Sequence, residues 1–226
     1  MIYLGKGIYT LPAASKLLGM EPQTTRRWVN GYTYRKNTGS RQGKPVLTPE
    51  FSDTAGATAL SFLDLTELLF IRHFIERGIS IQKIRKAAAV ASTLLNSSHP
   101  FAIQKMFTDG KSVFARLAQK ESDTALLDLV NEQFQLEKIV EPTLLCIDFD
   151  AHDRAERWWP LGKNGGVVLD PSRNMGQPIL SKYNVRTELI RNLHMAGHGI
   201  AEIVDWYELD KAVVEAAIDF ENKLAA

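Results

Sequence analysis

The segment Glu21-Pro-Gln-Thr-Thr-Arg-Arg-Trp-Val-Asn-Gly31 reads as a short helix written between two punctuation marks. Pro22 stands in the first turn, where a missing N–H leaves no bond unmade, and Gly31 is the stop. Just upstream, Ile8 to Gly19 reads as a second short helix. Thr10 is its N-cap, Pro12 lies in its first turn, Gly19 closes it, and Leu11, Ala14, Leu17 and Leu18 supply an apolar stripe at helical spacing. Two short helices joined by a tight Gly-containing turn outline a helix-turn-helix. The second helix carries Gln23, Thr24, Thr25, Arg26 and Arg27, side chains that donate to phosphates and base edges, while Trp28 reads as a core anchor.

Working outward, Tyr32 to Leu47 alternates cations and aromatics around Gly39 and Gly43 and reads as a basic hairpin, a wing. Tyr34, Arg35, Lys36, Arg41 and Lys44 are its candidate backbone-gripping residues. Arg26, Arg27 and these four cations fall within 19 residues with few acids to pair with, so phosphate neutralisation is the favoured explanation. Phe51 to Ala59 reads as a loop, Phe62 to Gly78 as a strongly amphipathic helix, and Ser80 as the cap of a further helix through Leu95.

Charge supports this division. The 226 residues sum to +1, with 27 Lys and Arg against 26 Asp and Glu. Residues 1–92 hold 13 cations and 6 acids, and residues 93–226 hold 14 and 20. A basic N-terminal part on an acidic remainder suggests nucleic acid at one end and protein at the other. A hydrophobic share of 45 % with 23 % charged residues excludes disorder. No apolar run reaches the roughly 18 residues of a membrane span. The lone Cys146 excludes a disulfide framework, and with no leader-like N-terminus the expected location is cytoplasmic, without membrane contact.

Asn96-Ser-Ser-His-Pro100 is a breaker cluster, so the chain divides into 1–95, 96–166 and 167–226. In the middle part, Ala102 to Phe107 and Ser112 to Leu117 read as strands around Asp109-Gly110, followed by a helix from Asp123 to Gln135. Thr143 to Phe149, Glu156 to Pro160 and Gly166 to Leu169 read as short strands. Asp148, Asp150, Asp153 and Glu156 cluster as nuclease carboxylates around magnesium do. A polar strand face with a solvated turn is the preferred reading, because no distant acidic cluster completes a site. His194 and His198 have ligand spacing, yet Gly197 breaks the shared helix face. Expected catalytic residues, metal ligands and cofactors are therefore none, and the chain is expected not to be an enzyme.

From Val168 a strand end, a turn and a second short strand lead to a helix from Val185 to Gly197. A short helix from Ile200 to Tyr207 and a last helix capped by Asp210 follow. The fold class expected is α+β, mainly α: an N-terminal winged helix-turn-helix, a small central sheet segment and a C-terminal three-helix domain.

Two resemblances bear on function. Gly19 to Trp28 resembles the recognition helix of MerR-type winged helix-turn-helix regulators: Thr24, Arg26 and Trp28 match, while Thr25 and Arg27 replace an apolar and an aromatic residue. Phe62 to Ala87, with Gly78-Ile-Ser-Ile-Gln-Lys-Ile84, resembles the paired helices completing that domain. Residues 168–222 resemble the domain-of-unknown-function family 433, of VapB-type antitoxins, through Asp170-Pro171, Gly176-Gln-Pro-Ile179 and Ala196-Gly197. Ser181-Lys-Tyr-Asn-Val185 departs from that pattern. The combination implies an antitoxin of a toxin–antitoxin system: a homodimer that binds operator DNA, represses its own operon and neutralises a PIN-like ribonuclease toxin, with Arg186 and Arg191 as candidate toxin-blocking residues. The alternative is a MerR-like regulator that senses a small ligand through its C-terminal region.

Overall fold

The structure, a computed structural model, describes residues 3–36, 39–51, 58–108 and 141–225. The N-terminal helices form where their caps place them. Thr10 Oγ1 accepts from Ala13 N at 3.2 Å and opens α1 (Leu11–Leu18), and Gly19 ends it. Helix α2 (Pro22–Asn30) follows and stops at Gly31. A hairpin of β2 (Tyr32–Lys36) and β3 (Gly39–Gly43) pairs Tyr32 with Gly43 and Tyr34 with Arg41. Strand β1 (Tyr9–Thr10) pairs with β4 (Ala59–Leu60), so the chain returns beside its start before entering α3 (Phe62–Glu76).

Helix α3 departs from the amphipathic expectation. Phe62, Leu65, Leu68, Leu69, Phe70, Ile71 and Phe74 are buried, and so are Asp64, Thr66 and Glu67. The helix has no solvent face over most of its length because α1, α4 (Ile81–Leu95) and the segment after it pack around it. Ser61 and Asp64 form a reciprocal capping box at its start.

Ala102 to Phe107, expected as a strand, is instead a 3₁₀ turn (Pro100–Ala102) and a short helix α5 (Lys105–Thr108). Phe101 meets Phe74 edge-on at 5.3 Å and Phe107 meets Phe70 at 4.6 Å, so packing onto α3 decides this segment's shape. The Asp109-Gly110 turn, the Ser112 to Leu117 strand and the Asp123 to Gln135 helix lie outside the described residues. Beyond them, β5 (Ile147–Phe149) pairs with β6 (Ala155–Trp158). The Thr143 to Phe149 strand is thus shorter than expected, residues 141–144 being helical.

One core runs from Tyr9 and Leu18 through α3 to Phe101, Ile147, Trp158 and Leu169. A second forms under the C-terminal helices. There β7 (Val167–Val168) pairs with β8 (Ile179–Leu180), and α6 (Thr187–Met195), α7 (Ile200–Tyr207) and α8 (Lys211–Ala225) close over Val167, Ile190, Ile203, Val214 and Ala217. Tyr9 links the two parts. It is fully buried, its hydroxyl donates to the Gly176 carbonyl at 2.6 Å, and the Ile8 amide donates to the Met175 carbonyl at 2.9 Å. A Cβ on Gly176 would stand 2.3 Å from the Tyr9 hydroxyl, at a backbone φ of +80°, so only glycine fits. The fold is α+β and mainly α, with small two-stranded sheets.

Candidate nucleic-acid interface

Helix α2 divides cleanly between core and solvent. Thr25, Trp28 and Val29 point inward, with Trp28 in the main core as expected for an anchor. Gln23, Arg26 and Arg27 are exposed and Thr24 is half-buried. Thr25, expected among the DNA-facing residues, is fully buried, with Oγ1 donating to the Glu21 carbonyl at 3.4 Å. It shares the inward stripe of Trp28 and Val29 at i+3 and i+4, which takes it out of any groove-facing set.

The wing begins beside that outer face. The Arg27 guanidinium lies 5.8 Å from the centre of the Tyr32 ring, a cation–π contact, and Tyr32 and Tyr34 stand together at 5.7 Å. The Tyr32 ring lies over Gly43, where an added Cβ would come within 2.4 Å of it. Tyr34, Arg35 and Lys44 are exposed. Lys36 and Arg41 occupy strand positions opposite Gly39 and Tyr34. Among the described residues Arg26, Arg27 and Arg35 are exposed and form no ion pair.

Two arginines that sequence reasoning missed hold this face together. Arg85 of α4 donates through Nε to the Pro45 carbonyl at 3.2 Å and through Nη2 to the Lys44 carbonyl. With Val46 N donating to the Trp28 carbonyl at 2.7 Å, the base of the wing is bound to α2 and α4 at once. Arg72 of α3 donates through Nη1 to the Leu18 carbonyl at the end of α1, while its Nε meets Glu76 at 2.6 Å. Neither pairing leaves a local signal, because the acceptors are backbone carbonyls about 40 and 54 residues away.

Beneath the head lies a buried polar cluster, also missed. Asp64 Oδ2 accepts from Ser61 N at 2.8 Å and Glu50 N at 3.1 Å, and Oδ1 accepts from His99 Nε2 at 2.8 Å. Burial works against the charged His99 ring, but the Asp64 hydrogen bond and the Glu67 and Asp64 charges raise its pKa overall. Glu67 Oε1 accepts from Phe101 N at 3.3 Å, while Oε2 is buried without a partner among the described residues. Burial pushes the Glu67 carboxyl up to about 8, against the pull of His99.

Of the four acids weighed as a magnesium site, Asp148 and Asp150 are engaged by basic partners. Asp148 pairs with Lys163 at 2.7 Å and accepts from Trp159 Nε1 at 2.8 Å, and Asp150 pairs with Arg154 at 2.9 Å. Burial opposes the charge on each, and these bonds hold both carboxyls below their ordinary range. Asp153 and Glu156 are exposed. His194 lies on α6 and His198 beyond its end, where it pairs with Glu202 at 3.6 Å. Arg186 pairs with Glu188 at 3.6 Å and Arg191 Nε donates to Asn222 at 3.0 Å. Both arginines line a cavity of about 280 Å³ shared with Lys16 and Leu17 of α1.

Known proteins match this arrangement at both ends. Residues 7–88 match the model of a "Putative DNA-binding HTH domain", and residues 167–220 match DUF433, a "Protein of unknown function". Over 225 residues, 94 % of this chain and 92 % of the relative, the sequence is 29 % identical to the "Putative antitoxin VapB45" of Mycobacterium tuberculosis. The crystal structure of Rv2018 from Mycobacterium tuberculosis is similar at a TM-score of 0.71 and 25 % identity, over 93 % of this chain and 96 % of that one. The chain is therefore similar to a putative DNA-binding helix-turn-helix domain at its N-terminus, to DUF433 at its C-terminus, and along most of its length to a protein named as an antitoxin.

Proposed function

We propose that this chain is a non-enzymatic antitoxin that binds operator DNA, represses its own operon and neutralises a PIN-like ribonuclease toxin. The observation that carries the DNA-binding half is the outer face of α2 and the wing. There Gln23, Arg26, Arg27, Tyr34, Arg35 and Lys44 are exposed, and among the described residues the three arginines have no acid partner. Lys36 and Arg41 belong to the same proposed set by their strand positions. Gln23, Thr24, Arg26 and Arg27 would enter the major groove while the wing cations grip flanking phosphates. As a homodimer it would read a palindrome with half-sites one or two helical turns apart.

The antitoxin half rests on the similarity to VapB45 along most of the chain. Acting in the cytoplasm, the protein would meet its toxin through the acidic C-terminal part, with Arg186 and Arg191 as candidates for reaching an acidic catalytic site. One experiment tests both halves: co-expression with the adjacent gene, followed by a gel-shift titration on the DNA upstream of the operon. A complex should purify and growth should be rescued. DNA affinity should fall steeply with salt and be lost when Arg26 and Arg27 are both replaced by alanine. Undiminished DNA binding by that variant refutes the α2 assignment. A second reading, a regulator that senses a small ligand, is favoured by the cavity between α1 and the C-terminal helices, whose lining mixes Lys16, Arg186 and Arg191 with Glu188 and Glu221 and suits a small polar molecule. DNA binding that changes with a metabolite rather than with the toxin would select it.

A further inference from the structure

From Asn192 to Asp210 the chain contains four acids, Glu202, Asp205, Glu208 and Asp210, and no Lys or Arg. This stretch spans the end of α6, the following turn and all of α7. The inner face of α7 is already used: Ile203 is fully buried in the second core, with Ile200, Val204 and Tyr207 packed against it. Trp206 lies on the other face and is 55 % exposed, and Met195, the last residue of α6, is 68 % exposed. Neither serves the core.

The Trp206 ring is nevertheless held in place. The His198 ring meets it edge-on at 4.8 Å and 65°. His198 is itself paired with Glu202 at 3.6 Å, and Glu202 accepts from Gly199 N at 2.9 Å, fixing the turn to the start of α7. An exposed tryptophan braced by His198, on a stretch that also exposes Met195, Asp205 and Glu208, has the composition of an interface centre with a polar rim.

We propose that this surface, the end of α6 and the outer face of α7, docks a basic protein partner. That partner is the RNA-cleaving toxin of the reading above, on which this inference rests. Trp206 is the apolar anchor, while Asp205 and Glu208 meet cations that the toxin carries to hold RNA. Charge selects this occupant. Nucleic acid is repelled by the rim, and a second copy of the same face would set Asp205 and Glu208 against their own counterparts. A basic ribonuclease surface complements it and is covered by the contact.

The test uses the full chain and the purified product of the adjacent gene, with affinity measured by biolayer interferometry at two salt concentrations. Trp206→Ala should weaken the complex about 30-fold, and Trp206→Phe should recover part of that loss. Reversing the rim with Asp205→Lys and Glu208→Lys should slow association and remove its salt dependence. Trp206→Ala should bind upstream DNA as the parent does, and the charge-reversed variant no more weakly than the parent, which verifies their fold. If both bind the adjacent product unchanged, the docking surface is wrong and the antitoxin reading stands. If the unmodified chain forms no complex, that reading falls and the surface with it. If Trp206→Ala leaves the complex intact but lowers the oligomeric state in light scattering, a second copy covers the patch and the proposal is overturned.

Discussion

Replacing Glu67 by glutamine should stabilise this protein, and by more as the pH rises. The carboxyl is buried on α3, one oxygen accepting from Phe101 N and the other without a partner among the described residues. Burial raises its pKa from 4.5 to about 8, so the folded state holds a proton that the unfolded chain has released at neutral pH. Its stabilising contribution is therefore complete below about pH 4.5 and is lost as pH climbs through about 8. A difference of one bound proton corresponds to a slope of about 1.4 kcal/mol per pH unit, or roughly 5 kcal/mol across the window. His99, whose pKa is also raised in the fold, adds loss of the same sign as it deprotonates.

Glutamine keeps the shape of the protonated acid and has no proton to lose. Urea denaturation at pH 5, 6, 7 and 8 should show the parent losing stability at each step. The variant should lack about one proton's worth of that slope, keep only the share of the His99 part that Asp64 supplies, and exceed the parent by a few kcal/mol at pH 8. Parallel slopes would mean that Glu67 is ionised in the fold, and the burial argument would be wrong. A variant weaker by more than about 2 kcal/mol at pH 5 would show that the acid makes a bond which an amide cannot replace.

Other outcomes follow from the same geometry. Arg85→Ala removes the two bonds to the Lys44 and Pro45 carbonyls. It should weaken binding to upstream DNA by about tenfold in fluorescence anisotropy while costing only about 1 kcal/mol in stability, since the two bonds are exposed and Val46 and Leu47 stay seated in the core without them. Gly176→Ala forces a methyl against the Tyr9 hydroxyl at a positive φ and should cost about 2–3 kcal/mol by thermal denaturation. In a Tyr9→Phe background the same change should cost less, and a strictly additive cycle would refute the clash. Trp28→Ala should destabilise by about 3 kcal/mol or more, because the ring belongs to the main core; a folded variant that lost only DNA binding would contradict that placement.

Much of the head was legible because its signals are local. Thr10, Pro12 and Gly19 bound α1, and Pro22 and Gly31 bound α2, as read from caps and stops alone. The C-terminal helices were equally plain, with Asp210 immediately before Lys211–Ala225. The burial of Thr25 has a cue in the sequence, since it stands three and four residues ahead of Trp28 and Val29. Helix α3 differs from its amphipathic pattern for a deeper reason. Asp64 and Glu67 look like a solvent face until His99 and Phe101 N, 35 and 34 residues onward, reach them in the core. Arg72 and Arg85 act on backbone carbonyls, which have no sequence signature.

Sequence alone determined where the short helices start and stop, the basic-to-acidic split and the presence of a winged helix-turn-helix, since capping, turn chemistry and charge are properties of neighbouring residues. Only the tertiary structure decided which face of α2 meets solvent, that carboxylates lie inside α3, and that Tyr9 locks against Gly176 from 167 residues away. Those outcomes depend on what packs against each element, and that is a property of contacts between residues distant in the chain.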